Sequence, residues 1–174
     1  MRRIKHAINS PFTDAWLPRV GKLILNFGVL ECETYLWLLM LSESPVKIPD
    51  FVEWKFAKRV ARIMKFVREG PCSENWKVEA QRCWNEAVEQ ATFRNRIAHN
   101  PLAFGWNTKA EVGEPDFIGI VNLKRRDSSQ KALASKAEMD GVIDSIVSLA
   151  TRLANLRTEW CSIRDEKHEL RTTA

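Results

Sequence analysis

Apolar residues recur every three or four positions over four long segments of the chain, which is the pattern of amphipathic helices. The four predicted helices run over about 13–42, 49–70, 73–98 and 135–164. The first is apolar on almost every side, so we expect it to lie centrally or in a subunit interface. Pro49 and Ser73 are typical helix-starting residues, and Gly70 is a typical stop.

The pattern changes between the third and fourth predicted helices. Residues 102–106 and 117–121 have the composition of short strands and are separated by a loop that contains glycine and proline. Two strands are marginal alone, so they must pack on the helices. The predicted fold is mainly α: a helical bundle of about four long helices with a small β-hairpin (about 102–124) inserted before the last helix. We expect a single domain over 1–174 with a frayed tail at about 166–174.

Composition is that of an ordinary globular protein. Hydrophobic residues make up 45% and charged residues 28%, which argues against long disorder, and 174 residues suit one domain. The net charge of +5 favours a polyanionic partner such as RNA, although a modest positive charge serves solubility equally well.

The apolar first segment is poor material for a membrane span. It contains Asn26, Glu31 and Glu33, and it begins too late for a signal peptide. We therefore expect a cytoplasmic protein with no membrane partner.

The four cysteines are Cys32, Cys72, Cys83 and Cys161, and they lie far apart without a C-x-x-C pair. Three fall in predicted helices, which favours reduced core thiols over a disulfide or a metal site. The chain also lacks the glycine-rich, H-E-x-x-H and G-x-S-x-G motifs. We expect no metal and no cofactor.

The third predicted helix ends in Arg94-Asn95-Arg96-Ile97-Ala98-His99. Helical periodicity places Arg94 among small apolar residues, and it places Asn95 and His99 on adjoining surface. A histidine can act as general acid or base, and a guanidinium can hold two phosphate oxygens, so this combination suits chemistry on a phosphodiester. The alternative is structural: Arg94 pairs with a buried carboxylate, while His99 and Asn100 cap the helix.

At these residues the chain resembles the HEPN family, whose hallmark is an arginine, a polar residue that is often asparagine, and a histidine four to six residues after the arginine. Arg94, Asn95 and His99 match that pattern, and the layout of helices around them is similar. The resemblance implies a helical bundle that forms a homodimer, with two copies of the motif facing each other across one cleft.

Catalytic members of the family cleave RNA without a metal, by attack of the 2′-hydroxyl that leaves a cyclic phosphate. The resemblance thus implies an endoribonuclease, as a toxin or phage-defence effector with an antitoxin or other protein partner. His99 would be general acid/base, Arg94 the phosphate clamp and Asn95 an orienting residue. The alternative is a non-catalytic dimer that binds a partner protein, RNA or a nucleotide, because some members have lost nuclease activity.

Other residues are candidates for the same site. Glu31 lies on the side of the first helix that carries apolar residues and would position Arg94 or His99; alternatively, it lies at the rim. A basic row recurs three or four residues apart on the second helix and would track a phosphate backbone together with Arg96, or would form a solvated face. The row consists of Lys55, Lys58, Arg59, Arg62 and Lys65.

Overall fold

The computed structural model describes residues 4–6, 16–41, 49–99, 102–105, 117–120 and 132–172, with side chains for 16–41, 51–99, 118 and 135–163. Over these residues the chain is mainly helical, and its long helices form a bundle. The helices are α1 (Leu17–Leu41), the single-turn α2 (Pro49–Val52), α3 (Phe56–Glu69), α4 (Glu74–His99) and α5 (Lys136–Thr172). Four of the five are the long helices that the periodicity predicts.

Four short strands form an antiparallel sheet in chain order: β1 (Ile4–His6), β2 (Leu102–Gly105), β3 (Phe117–Ile120) and β4 (Ala132–Ser135). The register pairs Leu102 with Ile120 and Gly105 with Phe117. The apolar pattern of the sequence predicts β2 and β3 but neither β1 nor β4. Residues 106–116 lie outside the described residues, so the hairpin connection remains a prediction.

The second predicted helix is not continuous, which corrects the prediction for 49–70. It breaks after Val52, and α3 begins at Phe56 behind Lys55, whose backbone is extended (φ −59°, ψ 147°). At the break the Trp54 ring packs edge-on against the buried Phe51 ring, with 4.9 Å between centroids. In the single turn before the break, Phe51 is buried whereas Val52 is 57% exposed.

The ends of α4 and α5 follow from their capping residues. Ser73 Oγ accepts a hydrogen bond from the Trp76 amide (3.4 Å), as expected for an N-cap. At the start of α5, Ser135 and Glu138 form a reciprocal capping box: the Ser135 amide donates to the carboxylate (2.6 Å), and the Glu138 amide donates to the hydroxyl (3.2 Å). The backbone amide groups of a first turn lack helical partners, and these side chains satisfy them.

The last helix is longer than predicted. It continues to Thr172, well past the predicted end near Arg164, so the tail predicted to be frayed over 166–174 is helical through 172. This segment contains neither glycine nor proline and is rich in Arg, Lys and Glu, which have high helix propensity.

The chain groups into two compact units. The first comprises Met1–Asn26 and Thr92–Ser145, and thus holds the sheet, the start of α1, the end of α4 and the start of α5. The buried apolar side chains described in it are Trp16, Leu23, Ile97, Ile118, Met139 and Ile143. The prediction of one domain over 1–174 covers undescribed segments as well and remains a prediction.

The second unit comprises Phe27–Ala91 and Ile146–Ala174, and its core is built around tryptophans. Trp37 is fully buried, stacks on Trp76 (5.7 Å between centroids) and meets Trp84 edge-on (5.6 Å). Its indole Nε1 donates to the Leu153 carbonyl at 3.2 Å, which satisfies the polar end of the ring. Trp76, Trp84 and Trp160 of this unit are all buried, as is Trp16 of the first unit.

Gly70 ends α3 for a reason of packing. A Cβ atom built at this position would lie 2.5 Å from the Trp160 ring, so a larger residue would displace that indole. Both residues belong to the second unit. The sequence signal of a helix stop at Gly70 is correct, and the reason for glycine is close approach of a side chain.

Among the described helices, α1 alone is long and apolar enough to cross a membrane, by length and composition only. It also has the features of a helix packed within a protein, because Leu30, Trp37 and Leu38 on one side are fully buried. The buried Glu33 carboxylate on α1 accepts a hydrogen bond from Arg157 Nε on α5 at 3.1 Å. A charged pair between helices fits protein surroundings better than lipid.

Candidate functional site

The motif that resembles HEPN occupies the last turn and a half of α4. Arg94 is half-buried, and its Nη1 donates to Asn95 Oδ1 at 2.9 Å. Asn95 and His99 are exposed and lie one turn apart, about 6 Å along the axis, because the helix is unbroken through His99. The predicted proximity of the amide and imidazole positions along one side of the helix is therefore confirmed.

Two other motif residues set the local environment. Ile97 is 3% exposed and anchors this end of α4 in the first unit. Arg96 is exposed and lies with His99 in the last turn, where unpaired helix carbonyls favour cations. The end of α4 thus carries two guanidinium groups, an amide and an imidazole within six residues.

The structural alternative for this motif stays open in part. The hydrogen-bond acceptor described for Arg94 is the uncharged Asn95 amide. Asn100, the other proposed capping residue, lies outside the described residues. Ser, Asn or His side chains that cap a helix end do so within the last turn, and His99 is in that position.

Glu31 lies at the rim of α1, which corrects the expectation that its carboxylate points into apolar surroundings. Its side chain is 35% exposed, and its Oε1 lies 3.9 Å from Nη2 of Arg59. The inward carboxylate of α1 is Glu33, whose side chain is 8% exposed and pairs with Arg157. Residues that are two apart on a helix point in directions about 200° apart, so the Glu31 and Glu33 carboxylates lie on opposite sides of α1. A role of Glu31 toward Arg94 or His99 remains a prediction.

Arg59 does not belong to an exposed basic row, which is a second correction. It is 4% exposed, and its Nε donates to the Thr34 hydroxyl at 2.7 Å. Its Nη1 donates to the Trp54 carbonyl, and its guanidinium lies over the Tyr35 ring at 4.4 Å. Burying a guanidinium is costly unless its donors are satisfied, and this one is satisfied by the Thr34 hydroxyl on α1 and by a carbonyl within the α2–α3 break. Arg59 joins α3 to α1.

The remaining members of the row are exposed, as predicted: Lys55, Lys58, Arg62 and Lys65. Lys58 Nζ lies 4.2 Å from the Trp54 ring centroid, and the Arg62 guanidinium lies 4.4 Å from that of Phe66. Neither ring is among the predicted site residues. The signal for Phe66 is its spacing of four residues from Arg62 on one helix, whereas Trp54 lies in the break, where helical spacing does not apply.

A second polar cluster, in the tryptophan-centred unit, is also absent from the predictions. Arg152 of α5 donates to Glu86 (3.0 Å), to Glu79 (3.1 Å) and to the Cys83 sulfur (3.0 Å), all on α4. Glu79 also accepts two 2.7 Å hydrogen bonds from Arg82. We call Arg152, Glu79, Glu86, Cys83 and Arg82 the Arg152 cluster.

The electrostatics of the Arg152 cluster hold its members in fixed ionisation states. Hydrogen bonds from Arg82, and then from Cys83 and Arg152, lower the pKa of Glu79 to about 2 against the effect of burial. Burial raises the pKa of the Cys83 thiol to about 11. Burial also opposes the charge of Arg152, but hydrogen bonds to Glu86 and Glu79 outweigh it and raise the pKa of Arg152. The cluster is a neutralised structural joint rather than a reactive centre.

All four cysteines are free, as predicted, but only two are core thiols. Cys72 and Cys83 are buried, Cys161 is half-buried, and Cys32 is exposed because it lies on the outer side of α1. Among the described residues, no three His, Cys, Asp or Glu side chains come together as metal ligands.

Comparison of this chain with models of protein families, with characterised proteins and with solved structures finds no match. What bears on a function is therefore the motif at the end of α4 and the polar surfaces of the described helices.

Proposed function

We propose that the chain is a metal-independent endoribonuclease of HEPN type. The single observation that carries the proposal is the arrangement at the end of α4, where Arg94 and Asn95 are hydrogen-bonded and His99 is exposed one turn further on. This arrangement combines an anion-binding guanidinium with an imidazole, which can act as general acid or base.

The chemistry follows from these groups. The neutral imidazole of one His99 takes the proton of a ribose 2′-hydroxyl, and the oxygen then attacks the adjacent phosphorus. The bond from phosphorus to the 5′ oxygen breaks, and an imidazolium gives that oxygen a proton. The products are a 2′,3′-cyclic phosphate and a 5′-hydroxyl end. Arg94 stabilises the negative charge that grows on the non-bridging oxygens, and Asn95 orients its guanidinium.

The finer organisation belongs to the same proposal. The active form is a homodimer in which two motifs face one cleft, and the 102–124 hairpin is an insertion in the helical bundle. The setting is the cytoplasm, where the nuclease acts as a toxin or in phage defence and an antitoxin or other protein restrains it. The charge of +5 supports an RNA substrate.

The test is incubation of purified protein with mixed cellular RNA in excess EDTA. Wild type should cleave and leave 2′,3′-cyclic phosphate ends, whereas His99→Ala and Arg94→Ala should lose about 100-fold or more in rate. Arg82→Ala is the matched control, an exposed arginine on the same helix that should leave cleavage unchanged. Full activity of folded His99→Ala would overturn the proposal.

A non-catalytic dimer that binds a partner is the second candidate. It is favoured by the apolar side chains that α1 exposes, with Leu25 75% and Val29 50% exposed and nothing within 4 Å of a Cβ at Gly21 or Gly28. Exposed apolar patches mark protein interfaces. This function predicts no cleavage by any variant, and loss of self-association in Leu25→Glu as measured by light scattering.

A further inference from the structure

The exposed side of α3 alternates cations with aromatic rings. Lys55, Lys58, Arg62 and Lys65 recur every three or four residues, in steps of about 4.5–6 Å along the axis. Among the described residues, only Lys65 of these four has a carboxylate within 4.0 Å, that of Glu69 at 3.8 Å. A row of cations with so little neutralisation attracts a linear polyanion.

The break between α2 and α3 is what adds an aromatic ring to this surface. Trp54 lies in the break, held edge-on against Phe51 on one side, and it remains half-exposed. Lys58 lies over the Trp54 ring, and Arg62 lies over the half-exposed Phe66 ring. Each ring thus has one cation on its face, in an arrangement that differs from a plain solvated helix side.

We propose that this surface binds single-stranded nucleic acid, with bases stacked on Trp54 and Phe66 and phosphates on the four cations. That the nucleic acid is RNA rests on the proposed function. The stacking of bases on the two rings and the pairing of phosphates with the four cations do not depend on that function. A duplex hides the faces of its bases, so aromatic rings select the single strand.

Base stacking is stronger than an exposed cation–π contact, so a base is expected to replace the cation on the face of each ring. An exposed cation–π contact changes an equilibrium by about two- to fivefold, and a base stacked on an aromatic side chain by about 5- to 150-fold. Lys58 and Arg62 then turn to the phosphates, where each neutralised charge releases a counterion. The cations protect the rings in the free protein and bind the backbone in the complex.

The experiment is fluorescence anisotropy of the full chain with a labelled 12-nucleotide 2′-O-methyl RNA. The blocked 2′ oxygen prevents cleavage, so failure to bind and failure to cleave are distinguishable. We expect tighter binding of the single strand than of its duplex, and a salt slope of about −3 for four phosphate contacts. Lys58→Gln/Arg62→Gln should reduce that slope to about −1.5.

The aromatic part is tested by Trp54→Ala, which should weaken binding about tenfold, and by Trp54→Phe, which should restore most of it. Lys22→Gln/Arg82→Gln is the matched control, with the same change of charge at exposed positions on α1 and α4. Equal losses in the control pair, equal affinity for the duplex, or binding to anionic vesicles with none to RNA would each overturn the proposal. Circular dichroism checks that each variant folds. If Trp54→Ala does not fold, the salt slope of Lys58→Gln/Arg62→Gln tests the proposal instead.

Discussion

Two arginine-centred regions of this protein show opposite ways of using the same side chain. In the Arg152 cluster, Glu79, Glu86 and a thiol surround the guanidinium within 3.1 Å, and the charged side chains are half-buried between α4 and α5. At the end of α4, Arg94 donates to a neutral amide beside the exposed Arg96 and His99. The first region balances its charges within the protein. The second has a half-buried arginine bonded to an amide, next to the exposed side chains of Arg96 and His99.

The contrast teaches how to separate structural from functional arginines. Carboxylates that neutralise a guanidinium make it a joint between helices, and removing it should cost stability. A guanidinium also binds anionic oxygens, and at the motif we expect removal of Arg94 to cost activity. Arg59, satisfied by a hydroxyl, a carbonyl and a ring, belongs with the structural group.

The sharpest test of a closed Arg152 cluster is thiol labelling at pH 8. Because the pKa of Cys83 is raised from 9.0 to about 11, its thiolate fraction is about a hundredfold lower than that of an ordinary cysteine. We expect iodoacetamide to label the exposed Cys32 at least that much faster than Cys83, as followed by peptide mass spectrometry. In urea the two rates should converge. Equal rates in the folded protein would show that the cluster opens to solvent.

Arg152→Ala and Arg94→Ala should have opposite consequences. The first leaves Glu86 without its charged partner on α5 and should lower the free energy of unfolding by about 2 kcal/mol. The second should reduce RNA cleavage and lower the urea midpoint less than Arg152→Ala does, since Arg94 donates to the exposed Asn95 in the last turns of α4. Urea titration measures the loss of stability in both variants, and a cleavage assay measures their loss of activity. A stable Arg152→Ala, or an Arg94→Ala that unfolds, would remove the distinction between the two regions.

The smallest expected effect is the acid dependence of stability. The pKa of Glu79 is lowered from 4.5 to about 2, so its contribution is fully present above pH 4.5 and is lost as pH falls toward 2. Its side chain is 37% exposed, and solvent screening therefore limits the size of the effect. In Glu79→Gln the urea midpoint should change less between pH 4.5 and pH 2.5 than it does in wild type. Glu89→Gln, which removes an exposed carboxylate on the same helix, is the control. Parallel curves for Glu79→Gln and wild type would contradict the assignment.

Much of the helical layout was predictable, because burial of one side of a helix leaves a period in the sequence. The start of α4 after Ser73 followed from capping chemistry, and the start of α5 near residue 135 followed from the helical period. The break at 53–55 was not predictable from the period. It depends on where the Phe51 and Trp54 rings pack and on the carbonyl that Arg59 reaches.

For the candidate site, the sequence by itself determined which residues stand one turn apart at the end of α4, since an unbroken helix has a known rise and rotation. Only the tertiary structure decided which charged residues are free to bind. Arg59 and Arg62 are three residues apart on one helix, yet Thr34 and the Trp54 carbonyl bury the first, while the second remains exposed. The physical reason is that the cost of burying a charge depends on partners from other segments, and spacing along one helix carries no record of them.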